Sequence, residues 1–306
     1  MTVDVAHVRA AYARIAPFIR RTPVLNNARL DAAAGASLFF KCENLQRGGA
    51  FKIRGAQNAV LSLSEREAAC GVATHSSGNH GAALALAAQQ RGIAAYVVVP
   101  SNARTTKRAA IAAAGATIVD CEPTLAAREA ALADVVERTG AHFVPPYDDA
   151  RIVAGQGTAA LEFIEDVPGL DQIWVPVGGG GLAAGTVIVA SAASPPIEVV
   201  CAEPAGADDA YRSMAAGKRL PQTDPHTIAD GLRTSLGELN FAILNAHRVR
   251  IALASEDGIA AATARLADSL RVPLEPSGAV PFAALIESPP SMRGQRIGLI
   301  LSGGNA

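Results

Sequence analysis

The sequence predicts an α/β fold of two units, each a mostly parallel sheet covered by helices. Three observations carry this expectation. Short apolar runs alternate with helical patterns along almost the whole chain, the rhythm of βαβ units. The runs, such as 93–99 and 173–177, are continuously apolar, as expected of strands buried on both faces. The 306 residues also suffice for two domains, on a prior of roughly 150 residues each.

Taken in order, 3–19 has helical apolar spacing and stops at Arg20-Arg21-Thr22-Pro23. Residues 37–42 read as a strand, followed by a glycine-bearing loop and a helix to about Leu63. Strands at 71–74, 93–99, 117–121 and 141–144 then alternate with helices at 80–90, 104–114 and 124–138. The second half repeats the pattern with helix 153–165, strand 172–177, helix 182–192 and strand 197–201. Strand 249–253, helix 256–270 and strand 296–301 complete it. Pro145-Pro146-Tyr147-Asp148-Asp149 is the natural crossing between units. The expected division is 1–65 together with 150–306 as the larger unit, and 66–149 as the smaller.

Composition excludes several classes. Half the residues are hydrophobic and 18% are charged, which rules out a disordered chain. A net charge of −1 gives no electrostatic reason for nucleic acid or an anionic membrane as partner. No long uncharged apolar run spans a membrane, and Asp4, His7 and Arg9 interrupt any secretory signal. Cys42, Cys70, Cys121 and Cys201 stand far apart without a CxxC pair. That pattern suits reduced thiols in the cytoplasm better than a disulfide framework or a zinc site.

Three stretches carry chemistry. The first is Gly48-Gly49-Ala50-Phe51-Lys52-Ile53-Arg54-Gly55-Ala56, where Lys52 opens an apolar helix behind a glycine turn. An isolated lysine is usually a solvated surface charge. One desolvated by close packing loses its proton more readily and becomes an amine nucleophile able to form a Schiff base. The second stretch is Thr74-His75-Ser76-Ser77-Gly78-Asn79-His80-Gly81. A helix N-cap at Ser76 or Ser77 would explain part of it. The remaining small and polar residues suit a loop that offers N–H groups and side chains to a carboxylate. In the third stretch, Gly178, Gly179, Gly180 and Gly181 join a strand to a helix, an arrangement fit for a phosphate on main-chain N–H groups. No Walker lysine follows, so nucleoside triphosphate hydrolysis is not indicated.

Gly178, Gly180 and Ala183 also satisfy GxGxxA, with Glu203 about twenty residues on. A NAD-binding Rossmann protein is therefore the alternative from a different class. It leaves Lys52 and the second stretch without a role, whereas pyridoxal phosphate employs all three: lysine for the aldehyde, glycines for the phosphate, polar groups around ring and substrate.

Phe51-Lys52-Ile53-Arg54-Gly55-Ala56, Ser76-Ser77-Gly78-Asn79-His80-Gly81, Gly178–Gly181 and Ser302-Gly303-Gly304-Asn305 together resemble the serine racemase and serine/threonine dehydratase family. The similarity runs from about Arg21 to Asn305, with the motifs in family order and spacing. It implies a fold-type II, tryptophan-synthase-β-like architecture, and a homodimer. It implies that Lys52 carries the cofactor and acts as base, with Phe51 beside it, and that Ser77 faces the substrate Cα from the opposite side. Asn79 would bond the cofactor ring hydroxyl, and Gly178–Gly181 would hold the phosphate. Ser76, Ser77, Asn79 and His80 would surround the substrate carboxylate.

The resemblance also places Ser302 at the pyridine nitrogen. A neutral hydroxyl there does not force protonation of the ring, which favours loss of a β-substituent over transamination. Glu203, the Ala207 carbonyl and Asp209 are similar to the family's divalent-cation site, for Mg²⁺ or Mn²⁺; capping of the next helix by Asp208 or Asp209 is the other reading. Ala50 stands where many members have serine. No regulatory C-terminal domain is expected after Asn305, nor feedback by isoleucine. The implied reaction converts L-serine or L-threonine to an oxo acid and ammonia, with serine racemisation and threo-3-hydroxyaspartate ammonia-lyase activity sharing the motifs. A β-carboxylate substrate would need an extra cation, for which Arg128 and Arg151 are the candidates.

Overall fold

The structure is a computed structural model, and it describes residues 3–76, 78–103, 105–287 and 294–305. The strands among them are β1 (Val24–Leu25), β2 (Ser37–Lys41), β3 (Val72–Thr74), β4 (Ala95–Pro100), β5 (Thr117–Cys121), β6 (His142–Phe143), β7 (Gln172–Pro176), β8 (Glu198–Pro204), β9 (Arg250–Ala254) and β10 (Arg296–Ile300). Between them run α1 (Val5–Ile15), α2 (Ala28–Ala34), α3 (Lys52–Leu61), α4 (Glu65–Ala69), α5 (Asn79–Arg91), α6 (Thr105–Ala113) and α7 (Leu125–Thr139). The second half adds α8 (Ala150–Asp166), α9 (Gly181–Ser191), α10 (Asp209–Ala216), α11 (Glu238–Ala246), α12 (Glu256–Leu270) and α13 (Pro276–Glu287). Arg104, expected to open α6, lies outside the described residues.

The strands form two sheets. One has six strands in the order β1-β2-β10-β7-β8-β9, and the other four in the order β5-β4-β3-β6. Among the described residues all pairings are parallel except β1 with β2. The four-stranded sheet draws every strand from residues 72–143, and the six-stranded sheet takes its strands from either side of that segment.

The two-residue period of the strands sorts the core. On β7, Trp174 turns toward α12 and α13 with Phe40, Val200 and Phe282, whereas Ile173 and Val175 turn toward α8 and α9 with Phe163 and Val187. On β3, Val72 joins α3 and α5 through Ile53, Val60 and Leu84, and Ala73 joins α7 through Leu132 and Val135. Both sheets are thus covered on both faces, which explains why their strands read as unbroken apolar runs.

The sequence pattern missed β1, α2, α4, α10, α11 and α13. The largest omission, α13, is almost wholly buried and carries Pro276 at its first position and Pro281 inside. Proline is compatible with a first helical turn but reads as a breaker in the middle of a helix.

Candidate active site

In the six-stranded sheet the segments that carry chemistry follow the carboxyl ends of parallel strands. Lys41, Ile300, Pro176 and Pro204 end β2, β10, β7 and β8. The lysine loop, residues 302–305, the glycine turn and the Glu203–Asp209 loop therefore open at one rim, where ligands bind in open α/β sheets.

The lysine loop is zipped to residues 301–304. Asn44 N–H donates to Leu301 O at 2.9 Å, Phe51 N–H to Ser302 O at 3.1 Å, and Gly304 N–H to Gly49 O at 2.9 Å. This pairing sets buried Ser302 beside Phe51. Lys52 begins α3, and its Nζ donates to Pro146 O at 2.8 Å. Nζ also lies 5.1 Å from the Phe51 ring centroid and 6.0 Å from that of Tyr147. Burial pushes the amine down to about 8, against the opposing charge of Glu275.

Arg54, in the first turn of α3, anchors that helix from below. Its guanidinium pairs with Glu43 at 2.7 and 2.8 Å and with Glu162 at 2.8 Å through each of two nitrogens. Lys41 Nζ reaches Glu162 at 2.8 Å, and Arg54, Glu43, Glu162 and Lys41 are all fully buried. Burial pushes Glu43 up, but Arg54 outweighs it and holds the carboxyl below its usual range.

The glycine turn opens α9 with Gly180 as N-cap at φ 91°, a left-handed conformation that favours glycine, and no side chain caps the helix. A Cβ at Gly179 would lie 2.3 Å from the Tyr147 ring. The first N–H groups of α9 are left for a ligand, and the cradle has no room for side chains.

α5 has Gly78 as its N-cap and, among the described residues, no side-chain cap, so Ser76 does not cap it. Asn79 Nδ2 donates to the Glu275 carboxylate at 3.0 and 3.3 Å, and its Oδ1 accepts from Asn305 Nδ2 at 3.1 Å. The His80 ring is buried, with Nε2 3.1 Å from Val144 O. Burial first, and then the charge of Lys52, push it down to about 3, so the ring is neutral. Ser76 is half-buried beside them, and Ser77 lies outside the described residues.

Glu203 and Asp209 are fully buried, and neither forms an ion pair among the described residues. Glu203 accepts from Ala210 N–H at 3.0 Å and Tyr211 N–H at 2.9 Å, so it is this residue that closes the start of α10. Asp208 instead pairs with Arg212 at 2.7 Å. Asp209 Oδ2 accepts from Leu236 N–H at 2.7 Å, while its Oδ1 is buried without a partner. Burial pushes Glu203 up to about 9 and Asp209 up to about 6. Two desolvated carboxylates, an orphaned oxygen and the buried Ala207 between them fit a hard cation. Among the described residues no group of three or more His, Cys, Asp or Glu is spaced for a metal, so main-chain carbonyl and water would complete the shell. Buried Glu203 is also committed to α10, which removes it from any ribose hydroxyl.

Sequence reasoning missed Glu275, Tyr147 and Asn240. Glu275 is 5% exposed and pushed up to about 7 by burial, with Asn79 opposing. A single acid inside the apolar run Val272-Pro273-Leu274-Glu275-Pro276 was the available signal.

The frame brings together an amine ready to attack a carbonyl and a helix N-terminus open to an anion, the pairing of an enzyme that carries a phosphate-bearing aldehyde. The chain belongs to the pyridoxal-phosphate dependent enzyme family, whose model matches residues 15–303. It is 46% identical to the beta-hydroxyaspartate dehydratase of Paracoccus denitrificans (strain Pd 1222) over 296 residues, 97% of this chain and 94% of that protein. It is 44% identical to the serine racemase of Dictyostelium discoideum over 308 residues, 99% of this chain and 95% of that protein. The crystal structure of that racemase superposes with a TM-score of 0.96, covering 100% of this chain and 99% of that one. The crystal structure of the T.th. threonine deaminase, 40% identical, gives 0.93 over 99% of this chain and 98% of that one. Within the family this chain lies in the serine racemase and serine/threonine dehydratase group, and it is a pyridoxal phosphate-dependent enzyme. Among the described residues no helix is long and apolar enough to cross a membrane.

Proposed function

We propose that the chain is an ammonia-lyase for β-hydroxy amino acids, converting L-serine or L-threonine to an oxo acid and ammonia, with serine racemisation as an accompanying reaction. The observation that carries this is the buried Lys52 Nζ, 2.8 Å from Pro146 O and facing the ring of Tyr147, which itself packs on Gly179 of the glycine turn. When bound, pyridoxal phosphate draws electrons from the substrate Cα, making its proton removable. Lys52 would hold the cofactor until the amine of the substrate displaces it, and the freed Nζ would then take the Cα proton from one face, the β-hydroxyl leaving with a proton as water. Gly178–Gly181 would hold the phosphate, and Ser302 would offer a neutral hydroxyl to the ring nitrogen. Phe51 walls the site beside Lys52, and Asn79 would bond the ring hydroxyl. The N–H groups at the start of α5, with Ser76 and Ser77, receive the carboxylate, His80 contributing its main chain. Ser77 is assigned the opposite face of the Cα on the family resemblance.

Mg²⁺ or Mn²⁺ is proposed at Glu203, Ala207 and Asp209. Residues 66–149 are proposed as a small domain against 1–65 with 150–306, in a homodimer. The four free cysteines agree with a cytoplasmic setting.

A second reading, threo-3-hydroxyaspartate as substrate, is favoured by Arg128. It is half-buried, its charge lowers neighbouring His75 after burial does, and it forms no ion pair among the described residues. Arg151 is instead paired with Asp149 at 3.2 Å and lies 2.9 Å from His142 Nε2.

The test is ammonia and oxo-acid release from L-serine, D-serine, L-threonine and 3-hydroxyaspartate, with borohydride fixation of the cofactor to Lys52. A colourless protein that binds NAD would refute the proposal. Loss of hydroxyaspartate turnover in Arg128→Leu, with L-serine turnover retained, would select the second reading. Conversion of L- to D-serine should vanish in Ser77→Ala while L-serine dehydration persists.

A further inference from the structure

The glycine turn, the Pro145-Pro146-Tyr147-Asp148-Asp149 strap between the two sheets and the Glu203–Asp209 loop meet at the first turn of α11. Asn240 lies there, fully buried. Its Nδ2 donates to Gly179 O at 2.7 Å and to Tyr147 O at 3.2 Å. Only the NH₂ end of an amide can answer two carbonyls, so the orientation of the side chain is fixed. Its Oδ1 is left buried without a partner, a cost in stability that the two donor contacts have to offset.

Each carbonyl it holds belongs to a segment of the site. Gly179 is in the phosphate-type turn, and holding its C=O fixes the opposite aim of the Gly180 N–H, because the peptide between them is planar. Tyr147 follows Pro146, whose carbonyl accepts from Lys52 Nζ at 2.8 Å. The surrounding turn is equally committed. Gly237 N–H also donates to Gly179 O at 3.1 Å, Leu236 N–H reaches Asp209 Oδ2 at 2.7 Å, and Asp148 accepts from Glu238 and Leu239 N–H at 2.9 and 3.0 Å. A Cβ at Gly180 would come 2.8 Å from Asn240 Cβ, so the amide has no free space on that side.

We propose that Asn240 is a positioning residue that ties the glycine turn to the strap, so that seating an anion on the turn and placing the Lys52 amine are one coupled event. This rests on the reading of Gly178–Gly181 as the phosphate turn and Lys52 as the cofactor lysine. Coupling of this kind is reciprocal: phosphate on the turn tightens whatever bonds to Lys52, by the same factor in both directions.

The test uses the full chain stripped of cofactor, with pyridoxal, which lacks the phosphate, and inorganic phosphate supplied separately. The dissociation constant of pyridoxal is read from its near-visible absorbance with and without saturating phosphate. Borohydride trapping and peptide mapping locate the attachment. In the parent, phosphate tightens pyridoxal about tenfold, the scale of one or two net hydrogen bonds. In Asn240→Ala that ratio falls to about one. Asn240→Asp, which keeps the shape but turns an acceptor toward both carbonyls, and Asn240→Ser provide the same comparison if the alanine variant does not fold. A general loosening of the fold would weaken pyridoxal in both arms and leave the ratio unchanged, and that result overturns the proposal. A parent in which phosphate leaves pyridoxal binding unmoved also overturns it. In that case trapping at Lys52 keeps the cofactor-lysine reading standing, and its absence sinks that reading too.

Discussion

Replacing Arg54 with methionine should destabilise the protein strongly and in a pH-dependent way. The parent site sets Arg54 and Lys41 against Glu43 and Glu162, all fully buried, with Arg54 making four contacts of 2.7 to 2.8 Å to the two carboxylates. Arg54→Met leaves two buried carboxylates with one cation. Removing one partner of a buried ion pair costs about 3–5 kcal/mol. For a chain of this length that corresponds to about 5–8 °C in Tm.

The sign with pH follows from Glu43. In the parent its carboxyl is held below the usual range, so its contribution is present above the unfolded pKa and is lost on acidification. In the variant the desolvation is no longer outweighed, and the carboxyl rises above its unfolded pKa. The deficit relative to the parent should therefore grow as pH rises through the carboxylate range, and be smaller at about pH 4 than at about pH 7.5. Urea and thermal unfolding at both pH values measure it, and adding Glu43→Gln should return part of the loss. A deficit under about 1 kcal/mol, or one that does not change with pH, would refute the reasoning.

Three further outcomes are expected. With the Lys52 amine pushed down to about 8, uptake of pyridoxal phosphate by stripped enzyme should rise about tenfold from pH 7 to a plateau above pH 8, and a rate still climbing at pH 10 would contradict this. Gly179→Ala puts a methyl 2.3 Å from the Tyr147 ring, so equilibrium dialysis should show cofactor affinity falling at least about tenfold, with partial recovery on adding Tyr147→Ala. Chelation should lower Tm, Mg²⁺ or Mn²⁺ should restore it, and Asp209→Ala should remove the response; a parent indifferent to chelator would discard the cation site.

Local chemistry was legible in the sequence, and long-range assembly was not. Lys52 and Gly178–Gly181 announce themselves because a few neighbouring residues determine both the turn and its use. Strands β4 and β7 could be found from their apolar runs, because helices cover both faces. Asn240, Tyr147 and Asp148 meet only when α11 docks on the strap, and nothing within ten residues of any of them marks that contact. Helix α11 also lacks a local side-chain cap, because Asp148 supplies it from the far side of the fold. Asp208 and Asp209 looked like caps for α10 by proximity, yet Glu203 performs that role from the end of β8. His80 reads as a ligand group in its motif, while its ring turns to the Val144 carbonyl.

The pairing of the lysine loop with residues 301–304 has a consequence for biosynthesis. Ser302 and Gly303 meet Phe51 and Ala50 directly, and β10 is the central partner that joins β2 to β7. A nascent chain therefore presents all four strands of the smaller sheet, within residues 72–143, before β7 is made. It cannot join the two halves of the larger sheet until the final strand has emerged. Until then the lysine loop lacks its partner at residues 301–304, and β2 and β7 each expose an unpaired edge, a hazard for aggregation.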